Sequence, residues 1–310
     1  MRTAAIKAIT RLAKKDKDII FIAGDLGFGV LDEFRQTCPK QFFNAGICEQ
    51  SMASISAGLA LEGKKVYLYS IANFPTLRCI EQIRNDVCYH NLSVTILVVG
   101  GGFAYGSLGM SHHATEDIAM MRSLPNMKVF VPADAIESQL IVEKAYLQKG
   151  PCYIRLNKGG EKSVHNVEVD NYEIGKELCV RDGKDIVIFA VGAIVQEAIN
   201  AADILQKQGI SVAVYSFCSI KPIDSTLILD CAKRFGKIIT VEEHNIIGGL
   251  GSAVSEVVAT SGMATQVVRL GLQDTFTNVI GSQEYLRHYY GIDKKKIADV
   301  IGSVWSENDV

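Results

Sequence analysis

Short apolar runs alternate with segments of helical spacing along most of the chain. Over residues 3–16 the side chains of Ile6, Ile9, Leu12 and Ala13 recur as a helix stripe, and Ile19, Ile20, Phe21, Ile22 and Ala23 then read as a buried strand. The alternation runs on through strands at 66–69, 94–99, 128–131 and 152–156, with helices from about 77 to 89 and after Asp134. Strands that are apolar at every position leave no face for water, so their alternation with helices predicts a parallel sheet covered on both sides. From about 159 to 172 the periodicity gives way to a polar connection. Beyond it, strands at 186–191, 212–215 and 237–241 alternate with helices over 195–207, over 225–235 and after Gly251. The expected fold class is α/β: two three-layer α/β domains with mainly parallel sheets, the first over 1–165 and the second over 166–310.

Composition narrows the classes of function. Hydrophobic residues make up 48% of the 310 positions and charged residues 21%, enough apolar material for a full core, which excludes a disordered chain. Lys and Arg total 32 against 34 Asp and Glu, so no global positive field exists to hold nucleic acid or an anionic membrane, and neither is an expected partner. The eight cysteines are scattered, with no Cys-x-x-Cys spacing, and are read as reduced thiols. No signal-peptide core is visible, and the longest apolar run, 186–195, contains Gly192 and is too short to span a bilayer. A soluble, cytoplasmic protein is the expectation. No internal repeat or low-complexity tract points elsewhere.

Four motifs carry candidate chemistry. Gly248-Gly249-Leu250-Gly251 follows a strand and opens a helix, but its glycine spacing and the absence of a downstream acidic partner make it a structural turn rather than a dinucleotide site. The preceding Glu242-Glu243-His244-Asn245 lacks a complete metal-ligand set and is read as a polar loop contacting the other domain. In Asn44-Ala45-Gly46-Ile47-Cys48-Glu49-Gln50, Glu49 stands in the first turn of a helix that is otherwise small and apolar. The helix dipole alone favours a carboxylate there; a carboxyl group among apolar helices is also the device that shares a proton with a bound heterocycle. His112 and His113 lie on a loop after a strand, where open α/β sheets bind ligands. Sequence neighbours point apart and make a poor metal pair, so His112 is read as facing substrate and His113 as packing or capping.

Taken together, Gly46-Ile47-Cys48-Glu49-Gln50-Ser51-Met52, the stretch from Phe74 to Glu81-Gln82-Ile83-Arg84, Ser111-His112-His113 and Pro125-Asn126-Met127 resemble the pyrimidine-binding domain of transketolase-type thiamine diphosphate enzymes. The run from Val241 to Ala253 resembles their C-terminal domain. The resemblance covers nearly the whole chain, in family order. Missing is the Gly-Asp-Gly followed by Asn that holds Mg²⁺ and the diphosphate, so the chain resembles the C-terminal subunit of a split transketolase whose N-terminal half is a separate polypeptide.

The resemblance implies a role for each matching residue. Glu49 matches the glutamate that bonds the pyrimidine ring nitrogen and favours the imino tautomer, which takes the proton from the thiazolium carbon. Phe74 matches the aromatic that stacks on the pyrimidine, with Arg78 beside it, and Asp25 and Leu26 match a pair lining the cofactor pocket near the boundary between chains. His112 matches the substrate-facing histidine. Arg2 and Lys158 stand where cationic contacts to a substrate phosphate fall, Lys158 without the bidentate fork of an arginine. Two positions depart from the pattern: Leu108 replaces an aspartate that meets a donor hydroxyl, and a histidine expected near Gly100 is missing.

The implied activity is transfer of a two-carbon ketol or related acyl-anion unit from a ketose-type donor to an aldehyde or ketone acceptor. Thiamine diphosphate is the implied cofactor, with Mg²⁺ anchored mainly by the partner, and a dimer of two-chain units (a heterotetramer) the implied assembly, serving sugar-type substrates of carbohydrate metabolism. Two alternatives stay open: the beta subunit of a 2-oxo-acid dehydrogenase decarboxylase component, and a non-catalytic binding module, against which the intact Glu49 speaks.

Overall fold

The computed structural model describes residues 1–165, 169 and 172–306, so the expected boundary between 165 and 166 lies at the edge of the described residues. In chain order the first elements are α1 (Arg2–Lys15), β1 (Ile19–Ala23), α2 (Asp32–Thr37), β2 (Phe42–Asn44), α3 (Glu49–Leu61), β3 (Lys65–Ile71), α4 (Asn73–Leu77) and α5 (Ile80–Gln82). A π-helical stretch over Ile83–Cys88 leads to β4 (Val94–Val99), α6 (Asp117–Ser123), β5 (Lys128–Phe130), α7 (Ala135–Tyr146) and β6 (Cys152–Leu156). The remainder holds β7 (Leu178–Arg181), β8 (Ile186–Val191), α8 (Val195–Gln206), β9 (Val212–Ser216), β10 (Ser219–Lys221), α9 (Ser225–Phe235), β11 (Lys237–Asn245), α10 (Leu250–Ser261), β12 (Gln266–Leu272), α11 (Gln283–Tyr289) and α12 (Lys294–Ser306).

The strands form two sheets, ordered β10-β5-β6-β4-β3-β1-β2 and β12-β11-β8-β9-β7. All pairings are parallel except the edges β10 on β5 and β7 on β9. The fully buried runs of β1 and β8 are apolar throughout, as burial under helices on both faces requires, while those of β4 and β6 each admit one polar residue, Thr95 and Arg155. Local chemistry sets the helix ends: Asp134 and Asp224 accept hydrogen bonds from the backbone of Glu137 and Leu227 at the starts of α7 and α9, and α9 stops at Gly236 with φ +68°.

The two sheets share material. β10 belongs in sequence to the second half yet closes the edge of the first sheet, Ser219 pairing with Phe130 and Lys221 with Val129. Lys221 Nζ donates to the carbonyls of Arg122 and Leu124 at 3.0 and 2.6 Å, and one apolar cluster runs from Val129 and Val131 through Phe217 and Ile220 to Phe189 and Val191. The polar connection is anchored where it leaves the first sheet: Asp134 Oδ2 accepts from Ser163 Oγ and from the Val164 amide, both at 3.0 Å.

Three local expectations change. The helix expected over 77–89 begins earlier, at Asn73, and is interrupted between Leu77 and Ile80 before widening into the π-helical stretch, because Cys79, Ile83, Val87 and Cys88 all turn into the core. Glu242, Glu243 and His244 lie on β11 and not on a loop, and are buried. The glycine-rich turn after them is structural: Glu242 accepts hydrogen bonds from the amides of Leu250 and Gly251 at 2.8 and 2.9 Å, so the N-terminus of α10 already has a side-chain acceptor.

Candidate active site

Chemistry-bearing side chains gather at the carboxyl ends of β1, β3 and β4, where open α/β sheets form clefts. The chain turns at Gly46, with φ +72°, and enters α3 at Glu49, whose side chain is 1% exposed. Ser70, at the end of β3, donates to Glu49 Oε1 at 3.3 Å. Arg78, just past α4, donates from Nη1 to Glu49 Oε2 at 2.6 Å, so the charge read from sequence as lying among apolar helices has an arginine partner.

From this pair a row of side chains crosses the sheet ends. The Arg78 guanidinium lies over the Phe74 ring at 5.2 Å, the Phe74 ring meets His112 edge-on at 5.3 Å, and Tyr105 meets His112 edge-on at 6.4 Å. Lys158 Nζ stands 5.4 Å from the Tyr105 ring. Arg2 lies close enough to Tyr69 and Tyr105 for its charge to act on their hydroxyls, and its buried Nε has no hydrogen-bond partner. The structure thus brings together Glu49, Phe74, Arg78, His112, Lys158 and Arg2. Asp25 and Leu26 stand apart at the end of β1: Asp25, with φ +53°, donates its amide to Asn44 Oδ1 at 3.2 Å and accepts from Asn44 Nδ2 at 2.9 Å.

The histidine loop is held from three sides. Asn73 donates to the carbonyls of Met110, Ser111 and His113. His113 is buried, with Nε2 3.1 Å from the Gly106 carbonyl and its ring edge-on to Phe103. Buried Arg155 donates to Asp117 Oδ2 at 2.8 Å, to the Ala114 carbonyl at 2.6 Å and to the Glu243 carbonyl at 3.1 Å, tying the loop to β11. His112 is left half-buried, with Nδ1 3.0 Å from Ser111 Oγ. Partial burial, and after it the charge of His113, hold its imidazole below the usual range, so it is neutral at pH 7.

An open cleft of about 760 Å³ lies against this row, walled by Phe74, Leu77, Arg78, Met110, Ser111 and Phe276. Leu108 is exposed on the turn before Met110, and Met110 forms the wall there. The departure at Gly100 has a steric cause: a side chain at Gly100 would enter the ring of Tyr105. Its neighbours Gly101 and Gly102 likewise make room for Arg155 and Glu243. Sequence reasoning missed Asn44, Ser70, Asn73, Tyr105 and Arg155; the run of three glycines was the available signal that large side chains crowd this loop. Among the described residues no three His, Cys, Asp or Glu side chains converge as metal ligands, and no helix is long and apolar enough to cross a membrane.

Residues 1–160 match the transketolase pyrimidine-binding domain and residues 175–297 the transketolase C-terminal domain. The chain is 36% identical over 298 residues to an apulose-4-phosphate transketolase subunit from Phocaeicola vulgatus, a match covering 96% of this chain and 94% of that protein. It is 37% identical over 292 residues to the 1-deoxy-D-xylulose-5-phosphate synthase of Syntrophotalea carbinolica, covering 94% of this chain but 46% of that one. Among solved structures, a split gene transketolase described as an inactive beta4 tetramer superposes with a TM-score of 0.88 at 37% identity, over 98% of this chain and 97% of the other. With two mainly parallel α/β sheets, a pyrimidine-binding domain over half its length and a relative matched nearly end to end, this chain belongs to the transketolase family.

Proposed function

We propose that this chain is the C-terminal subunit of a two-chain, thiamine diphosphate-dependent transferase that moves a two-carbon ketol or related acyl-anion unit from a ketose-type donor to an aldehyde or ketone acceptor. The observation that carries the reading is the buried Glu49 carboxylate, joined through Arg78 to the Phe74 ring of the cleft wall. The relatives that match end to end speak for a split transketolase over a 2-oxo-acid dehydrogenase component. To the same reading belong the division at 165/166, a cytoplasmic location, a role in carbohydrate metabolism and assembly as a dimer of two-chain units.

The family uses thiamine diphosphate, and the donor set fits half of it. A buried carboxylate with an adjacent aromatic face suits a protonatable heterocycle, whereas the described residues offer no carboxylate cluster for Mg²⁺, which with the diphosphate falls to the N-terminal-half partner. When bound, the cofactor supplies a carbon nucleophile that adds to a carbonyl and then stores the resulting charge. This chain's residues do the rest. Glu49, oriented by Ser70, holds the proton at the pyrimidine nitrogen; Phe74 lines the ring's place, with Arg78 beside it; Asp25 and Leu26 line the pocket near the boundary with the partner. Neutral His112 donates a hydrogen bond to the substrate oxygen as charge develops there. Arg2 and Lys158 offer two cations to an anionic end of a sugar-type substrate.

The test is reconstitution with the partner that carries the Gly-Asp-Gly and Asn elements, titrating thiamine diphosphate and Mg²⁺ and assaying ketol transfer. Binding and turnover by the pair, and neither by this chain alone, are expected. Tight binding with turnover by this chain alone would overturn the two-chain reading.

A further inference from the structure

Glu49 is 1% exposed, and both of its carboxylate oxygens are engaged within the chain, Oε1 by Ser70 and Oε2 by Arg78. Arg78 is different: its side chain is 47% exposed, its one hydrogen bond among the described residues is to Glu49, and its guanidinium lies over Phe74. The arginine therefore covers the carboxylate and the ring at once, from the cleft side. These are the two surfaces that a flat heterocycle must reach.

We propose that Arg78 is a placeholder for the pyrimidine ring. This rests on the reading of the site as a thiamine diphosphate pocket. In the unassembled chain, Arg78 neutralises a carboxylate that would otherwise be buried without a partner, a costly arrangement in a low-dielectric site. When the cofactor enters, its ring nitrogen takes Glu49 Oε2 and its face takes Phe74, and the guanidinium leaves both for the solvent-facing side of the cleft. The half-exposed arginine gives up one hydrogen bond and regains water; the buried glutamate exchanges one partner for another. Arg78 is in this sense a positioning residue. It keeps Glu49 paired and aimed before assembly, and it sets a threshold that only a ligand bonding Glu49 and covering Phe74 together can cross.

Two measurements test this. In the chain alone, thermal melts of Arg78→Met, Glu49→Gln and the double variant separate a placeholder from a surface ion pair. Arg78→Met should melt about 4 °C or more below wild type, because it strands a buried carboxylate, whereas the double variant should recover most of that loss. Additive effects of the two substitutions would overturn the proposal. In the assembled complex, thiamine diphosphate titrated in the presence of Mg²⁺ and followed by calorimetry should bind the Arg78→Met variant about tenfold more tightly than wild type, with Arg78→Lys between them. Weaker or unchanged binding to Arg78→Met, with wild type binding normally, would overturn the placeholder role alone. Failure of the wild-type complex to bind the cofactor at all would overturn the pocket reading and this proposal with it.

Discussion

Glu242 and His244 lie two residues apart on β11, with His244 Nδ1 3.7 Å from Glu242 Oε2 and neither side chain reaching solvent. His244 donates from Nδ1 to the Asn245 carbonyl at 2.6 Å and accepts the Ala119 amide at Nε2, the pattern of a neutral imidazole. Burial pushes it down to about 4 from 6.5 and pushes Glu242 up to about 7 from 4.5. The two shifts act oppositely on stability. Between pH 4 and 6.5 the unfolded chain binds the His244 proton and the folded chain does not, so this contribution grows with pH, by on the order of 3 kcal/mol in all. Between pH 4.5 and 7 the folded chain holds the Glu242 proton and the unfolded chain does not, so that contribution is lost as pH rises. Glu242→Gln should therefore gain on wild type as pH climbs from 4.5 to 7, and His244→Asn should gain as pH falls from 6.5 to 4. Urea unfolding across that range reads both; curves parallel to wild type would contradict them.

Glu49→Gln keeps the shape of the side chain and its contact with Ser70 but cannot hold the shared proton. Hydrogen–deuterium exchange at the thiazolium carbon of the assembled complex should slow by roughly a hundredfold to ten-thousandfold. Stability should change by about 1 kcal/mol or less, since the released Arg78 is half exposed. Exchange at the wild-type rate would show that Glu49 is not the activating group.

Asp117 is the buried counter-charge of Arg155 and also accepts from the Tyr153 hydroxyl. Asp117→Ala should cost about 3–5 kcal/mol by leaving the guanidinium buried and uncompensated. Equilibrium unfolding in urea measures it, and a loss near zero would mean that water reaches Arg155.

The cleft wall beside His112 is apolar, made by Met110, Leu77 and Phe276. Ordinary ketose phosphates should be poor donors, and because Leu108 is exposed outside that wall, Leu108→Asp should restore little. Steady-state assays of the assembled complex decide it: turnover of a ketose phosphate near the enzyme median of about 10 s⁻¹ would refute the expectation.

Much of the fold was legible because the strands of a doubly covered parallel sheet announce themselves as continuous apolar runs, as at Ile186–Val191. The elements that stayed hidden obey other rules. β10, Ser219-Ile220-Lys221, is too short for a pattern, and its partner strand lies some ninety positions upstream. Glu242, Glu243 and His244 look like loop residues because charged side chains are depleted in strands; helix amides, the Phe103 amide, Arg287 and Gln283, brought close by the fold, explain their place on β11. Of the candidate site, Glu49, Phe74 and His112 were singled out from spacing and likeness. Their supports were not: the clamp of Asn73 on the histidine loop and the entry of Tyr105 beside Gly100 depend on tertiary proximity.

The antiparallel strand at Ser219–Lys221 also has a bearing on how the protein is made. A ribosome delivers β6 long before it delivers β10, so the first sheet emerges with its β5 edge bare while residues 157 to 218 are still being added. At roughly 5–20 residues per second, that edge stays open for several seconds. During translation it is a template for any extended chain nearby, and a truncated product ending at the polar connection would keep it open permanently. Cells making this protein therefore have a reason to protect the nascent chain until Lys221 has arrived.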